Sequence, residues 1–142
     1  MIRTDSEHSQ AMKDRDAQAA RLKAHRKELS GAGLSGRKLD RAMLPLETFH
    51  KQLEEDIQIY EALKKGDKKV LSRLGFGQQL VALRIANGLT QRELAERLGV
   101  HESQVSRDER NEYHGITVER ADKVLAALGL RLVPTYKVAL PA

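Results

Sequence analysis

Cysteine and tryptophan are missing from this 142-residue sequence, which holds only two Phe, three Tyr and three Pro. Without cysteine there is no disulfide, no thiolate zinc site and no cysteine nucleophile, which agrees with a reducing compartment. With so few aromatics a core must be built from Leu, Val, Ile and Ala, a composition suited to small helical packing units rather than to a large enzyme cavity. No apolar run approaches the roughly 18 residues that a membrane span needs. The opening MIRTDSEHSQAMKDRD is charged throughout and lacks the apolar stretch of a secretory signal. The expectation is a cytoplasmic chain with no membrane partner.

Catalytic patterns are equally scarce. The five histidines, His8, His25, His50, His101 and His114, show no metal-ligand spacing, and no glycine-rich phosphate loop follows a strand. No Ser is arranged suggestively with His and Asp. The sequence is therefore expected to be no enzyme and to need neither metal nor cofactor.

Charge is present in quantity but not in one place. Net charge is +5, which favours a polyanionic partner without identifying one. Residues 1–70 hold 15 basic and 12 acidic side chains and residues 71–142 hold 10 and 8. Because the excess is spread out, pattern has to locate a site.

From Ser6 to Leu29 the sequence favours helix, with a thin apolar stripe of Met12, Ala19, Leu22 and Leu29. SGAGLSGRKLD, Ser30 to Asp40, carries three glycines that permit a reversal. A second helix is expected to open near Pro45 and to place Leu46, Phe49, Leu53, Ile57, Tyr60 and Leu63 on one face. Two such helices form a hairpin, or an oligomeric coiled coil. KKGDKK, Lys64 to Lys69, then breaks the pattern. The expected organisation is a helical hairpin or coiled-coil region over residues 1–66, a linker over 67–75, and a second domain with a C-terminal tail over 76–142.

The second domain carries the most information. In LTQRELAERLGVHESQVSRDER, Leu89 to Arg110, Thr90 and Glu93 have the spacing of a capping box, so a helix starts at Gln91. Leu94, Ala95 and Leu98 share a face, and Gly99 ends the helix where a left-handed backbone carries no Cβ clash. A second helix is expected from Glu102 to about Arg110, anchored inward by Val105. A small residue, a bend and an apolar anchor in that order are a packing solution for two helices joined by a tight turn.

LVALRIANGLTQRELAERLGVHESQVSRDER resembles the DNA-binding domain of Cro/cI-type repressors, the XRE family, with Leu80, Leu83, Arg84, Gly88, Leu89, Thr90, Gln91, Leu94, Ala95, Leu98, Gly99, Val105, Ser106 and Glu109 in register. The resemblance covers Phe76 to Leu130. It implies a lambda-repressor-like helix-turn-helix domain, which with the N-terminal hairpin read above makes an all-α chain, and it names double-stranded DNA as the partner. By the same resemblance the second helix of the motif enters the major groove, and Gln91 bonds a phosphate at the start of the first. The outward DNA-binding residues are then Glu102, Ser103, Gln104, Ser106, Arg107 and Arg110. Arg107 is expected to read bases, Gln104 to suit adenine, and Glu102 to accept from cytosine. The resemblance makes Arg84 and Glu109 a buried structural ion pair.

Two positions and one loop depart from the family pattern. Asp108 stands where an apolar or aromatic residue is usual, with Arg84, Arg107 or Arg110 as expected partners. His101 replaces the usual Ser, Thr or Asp cap. RNEYHG, Arg110 to Gly115, is a more polar exit loop than most.

Thr117 is placed to cap a further helix whose Ala121, Val124, Leu125 and Leu128 close the core over Val105 and Leu94. LRLVPTYKV, Leu130 to Val138, alternates like a short C-terminal strand, with Pro134 keeping it from the centre of a sheet. A lone strand needs a partner, as in some antitoxin repressors that this sequence resembles, where it pairs across a homodimer; a free tail is the other reading. The expected function is a sequence-specific repressor, cytoplasmic and associated with the nucleoid. The alternatives are an antitoxin that autoregulates its operon and binds a toxin, and a helical interaction adaptor.

Overall fold

The computed structural model describes residues 1–133. Among them are seven helices and no strand: α1 (Asp5–Gly31), α2 (Gly36–Lys64), α3 (Lys68–Leu71), α4 (Phe76–Ala86), α5 (Gln91–Leu98), α6 (Glu102–Arg110) and α7 (Val118–Ala127). None of the described helices is long and apolar enough to cross a membrane. The chain divides between Leu71 and Ser72 into two compact units.

The first unit is a pair of long helices, α1 packed along α2, with the short α3 packed against α2. Thr4 starts α1, its Oγ1 accepting the Glu7 N–H at 3.1 Å. The reversal uses only residues 32–35, and the left-handed backbone of Gly33 makes so short a turn accessible. Helix α2 therefore begins at Gly36, and Pro45 sits inside it rather than at its start. Interior proline costs most where the carbonyl it abandons is buried; here both Pro45 and Arg41 lie on the exposed side of the helix rather than against the core.

The buried face of α2 is set by Met43, Ile57, Tyr60 and Leu63, with Ala11 opposite on α1. Met43 and Ile57 lie two heptads apart on the same stripe. Phe49, six residues from Met43, is turned about 120° away from it, and it remains 67% exposed, with Leu46 exposed beside it. The stripe expected on α1 is likewise half-formed: Met12, Leu22 and Leu29 are half-buried and Ala19 is exposed. Polar contacts fix the register at both ends. Arg26 bridges Asp40 and Glu47 near the turn, while Tyr60 donates its hydroxyl to Asp5 at 2.9 Å near the opposite end.

In the second unit four helices enclose one apolar core. Leu80, Val81, Ala82 and Ile85 from α4 meet Leu94 and Ala95 of α5, Val105 of α6, and Ala121, Val124 and Leu125 of α7, with Leu128 just beyond. Helix α5 packs against α6 and α7, and α4 against α6 and α7. Arg97 closes one edge by donating to the Ala127 carbonyl at 3.0 Å. Residues 130–133 carry no regular structure, and the rest of the expected strand, 134–138, lies outside the described residues.

Candidate nucleic-acid interface

The turn between α5 and α6 is assembled from local rules. Thr90 Oγ1 accepts the Glu93 N–H at 3.1 Å, and the Glu93 carboxylate accepts the Thr90 N–H at 2.7 Å, a reciprocal cap that satisfies two free donors. The Thr90 N–H, joined by the Thr90 hydroxyl donating to the same carboxylate oxygen at 2.9 Å, holds the Glu93 carboxyl below its ordinary pKa. Gly99 ends α5 with φ +66°, a left-handed conformation that only glycine adopts without cost. Val100 follows, and α6 starts from His101, whose imidazole Nδ1 accepts the Ser103 N–H at 3.2 Å. The sequence offers no ordinary capping residue there. The imidazole nitrogen takes the role that a Ser or Asp oxygen would otherwise hold.

Glu109 and Arg84 anchor α6 from within. The guanidinium meets the carboxylate through two bonds, Nε to Oε1 at 2.5 Å and Nη2 to Oε2 at 2.7 Å. Arg84 is 3% exposed and Glu109 1%. Nη1 of the same arginine donates to the Leu89 carbonyl at 2.7 Å. One side chain thus ties α4 to the loop before α5 and to the far end of α6, in the planar geometry that arginine alone supplies.

Gln91 joins this group. Its Nε2 donates to Glu109 Oε2 at 2.8 Å, and the residue is half-buried. An amide nitrogen carries two hydrogens, so this bond fixes the side chain and leaves a second N–H.

The rest of α6 faces outward. Glu102, Ser103, Arg107 and Arg110 are exposed, while Gln104 and Ser106 are half-buried. Ser103 places its hydroxyl 2.8 Å from His101 Nδ1. Among the described residues, the side chains of Glu102, Gln104, Ser106, Arg107 and Arg110 make no hydrogen bond or ion pair. Glu102 lies in the first turn of α6 and Arg107 and Arg110 in the last, the distribution that the helix dipole favours.

Asp108 does not pair with Arg84, Arg107 or Arg110 as expected from the sequence. Its partner is Arg120 of α7, with Nη2 2.5 Å from Oδ2. The reason is direction: Asp108 precedes Glu109 on the inward side of α6, whereas Arg107 and Arg110 point to solvent. A charge in place of an apolar anchor is accommodated by an ion pair across the core's edge.

The exit loop is held by close approach. A Cβ on Gly77 would stand 1.8 Å from the Glu112 carbonyl oxygen. The Gln78 amide donates to both carboxylate oxygens of Glu112 at 3.1 Å, and Tyr113 is buried beneath. Glu112 and Tyr113 both take positive φ, 49° and 50°, an uncommon backbone for non-glycine residues. Gly77, Tyr113 and Arg120 are structural participants that the sequence did not single out, whereas His101, noted there as a departure from the usual cap residue, is itself the cap. Thr117 marks the helix start in the sequence, its Oγ1 accepting the Arg120 N–H at 3.2 Å, but nothing in the local pattern points to the side-chain partner of Arg120.

A family model described as helix-turn-helix matches residues 80–134. No curated protein and no solved structure matches the chain. Arg84, the α5–turn–α6 pair, Glu109 and α7 all lie within the matched span. That span is a helix-turn-helix DNA-binding domain of the Cro/cI type, the fold of a transcription regulator.

Proposed function

We propose that this helix-turn-helix domain belongs to a sequence-specific repressor that reads its operator through α6. The observation that supports this best is the division of α6 into two faces. Val105 and Glu109 are buried and locked, whereas Glu102, Gln104, Arg107 and Arg110 are left without intramolecular polar partners among the described residues. Polar side chains held on a rigid element with nothing to bond are what direct readout of base edges requires. Arg107 is assigned to a guanine edge, Gln104 to adenine and Glu102 to cytosine, with Ser103, Ser106 and Arg110 completing the contact face. Gln91 uses its second amide N–H on a phosphate while Glu109 holds the first, so the buried ion pair also orients the phosphate contact.

One nine-residue helix reaches few base pairs, so operator specificity calls for a homodimer on an inverted repeat. Selecting bound duplexes from a random-sequence library tests the reading. The expected result is a palindrome whose half-site centres lie about 10 base pairs, or a multiple, apart. Failure to enrich any sequence would refute it.

The antitoxin reading draws on the first unit, where Leu44, Leu46 and Phe49 leave large apolar side chains exposed on α2. A toxin seated there would cover them. Co-expression with an adjacent toxin-type reading frame, followed by affinity purification through this chain, distinguishes the two: a stoichiometric second protein supports the antitoxin, and recovery of this chain alone supports the repressor.

A further inference from the structure

His101 stands immediately ahead of α6 and outside the set of side chains assigned to reading. Its ring is exposed and has two distinct nitrogens. Nδ1 accepts the Ser103 backbone N–H at 3.2 Å, and the Ser103 hydroxyl lies 2.8 Å from the same nitrogen. A backbone N–H can only donate, so Nδ1 holds a lone pair, and in the neutral ring the proton resides on Nε2. No hydrogen bond to Nε2 is made among the described residues.

The cap therefore does two things to the ring: it selects one tautomer, and it orients the plane. What remains is a single N–H donor of fixed direction on the far edge of the imidazole, at the leading end of the helix that carries the outward polar face. A Ser or Asp at this position would cap α6 equally well, but its polar atom would end at the cap.

We propose that His101 is a DNA-contacting residue, donating Nε2–H to an acceptor of the duplex, either a phosphate oxygen or a purine edge. The assignment rests on the reading of α6 as the helix presented to DNA. It turns the capping residue into a contact, and it predicts that capping and binding can be separated by substitution.

The test uses the full chain and two duplexes: one enriched by the wild-type protein from a random-sequence library, and an unrelated one of the same length. His101→Ser keeps a capping oxygen and removes the ring donor, whereas His101→Ala removes both. The expected result for His101→Ser is an unchanged melting temperature with affinity for the enriched duplex weakened about 3- to 10-fold if the acceptor is a base, the range of one neutral hydrogen bond, and about 10- to 150-fold if it is a charged phosphate. An equal loss on the unrelated duplex identifies a phosphate as the acceptor, and a loss confined to the enriched duplex identifies a base. Wild-type affinity in His101→Ser overturns the proposal while leaving the reading of α6 intact. A loss accompanied by the same drop in melting temperature as His101→Ala also overturns it, because affinity then follows the cap. If the wild-type chain enriches no duplex, the reading of α6 fails and the proposal falls with it.

Discussion

Arg84 engages Glu109 through two bonds and the Leu89 carbonyl through a third, so its replacement strands a buried carboxylate. Arg84→Leu should destabilise the second unit by about 3–5 kcal/mol, measured by denaturant unfolding. Replacing both partners by apolar residues of similar volume, as in Arg84→Met with Glu109→Leu, should recover much of that loss. A double variant no more stable than the single one would contradict the account of the pair. Gly77→Ala should cost about 1–3 kcal/mol, since its methyl has nowhere to go but into the Glu112 backbone. Tyr113 gives a pH signature. Burial, reinforced by the carboxylates of Glu109 and Asp108, raises the pKa of its phenol above the ordinary value of 10.0. A folded-state pKa above the unfolded one contributes stability that is complete below the unfolded value and is lost as pH rises through the folded one. Alkaline destabilisation should therefore be smaller in Tyr113→Phe, followed by thermal melts at rising pH. The Arg84–Glu109 pair was legible through family resemblance, whereas Gly77 was not: the need for glycine there comes from a carbonyl 35 residues away, and no local pattern records it.

At the scale of elements, the helix boundaries in the second unit were legible because short-range chemistry sets them. Thr90, Gly99 and Thr117 act where their types and spacing predict. Thr90→Ala should cost about 1 kcal/mol and Gly99→Ala about 1–2 kcal/mol, both read as shifts in denaturant midpoint at constant slope. Unchanged midpoints would remove the caps from the account of how α6 is aimed. The first unit was less legible. Proline as a helix opener misplaced the start of α2, because the sequence does not reveal which stretch of the helix faces away from the core. Leu46 and Phe49 joined a stripe in the sequence that the packed helix does not bury in full, since spacings of three and four admit more than one face.

The whole molecule divides at Leu71 and Ser72, between a charged helical pair and a helix-turn-helix domain. A composition change around the lysine run marks the neighbourhood of that division, but residue types alone do not show that Lys68–Leu71 forms a turn of helix. The expected strand falls largely on 134–138, outside the described residues. DNA binding by the intact chain should weaken steeply with salt, with a slope of about 0.9 in log–log form for every phosphate neutralised. The most direct test of the central claim, that the outward face of α6 reads bases, compares the sequences selected from a random duplex library by the wild-type chain and by a folded Arg107→Ala variant. The account predicts that preference relaxes at one position of each half-site while the remaining positions keep theirs; an identical selected sequence at equal affinity would contradict it.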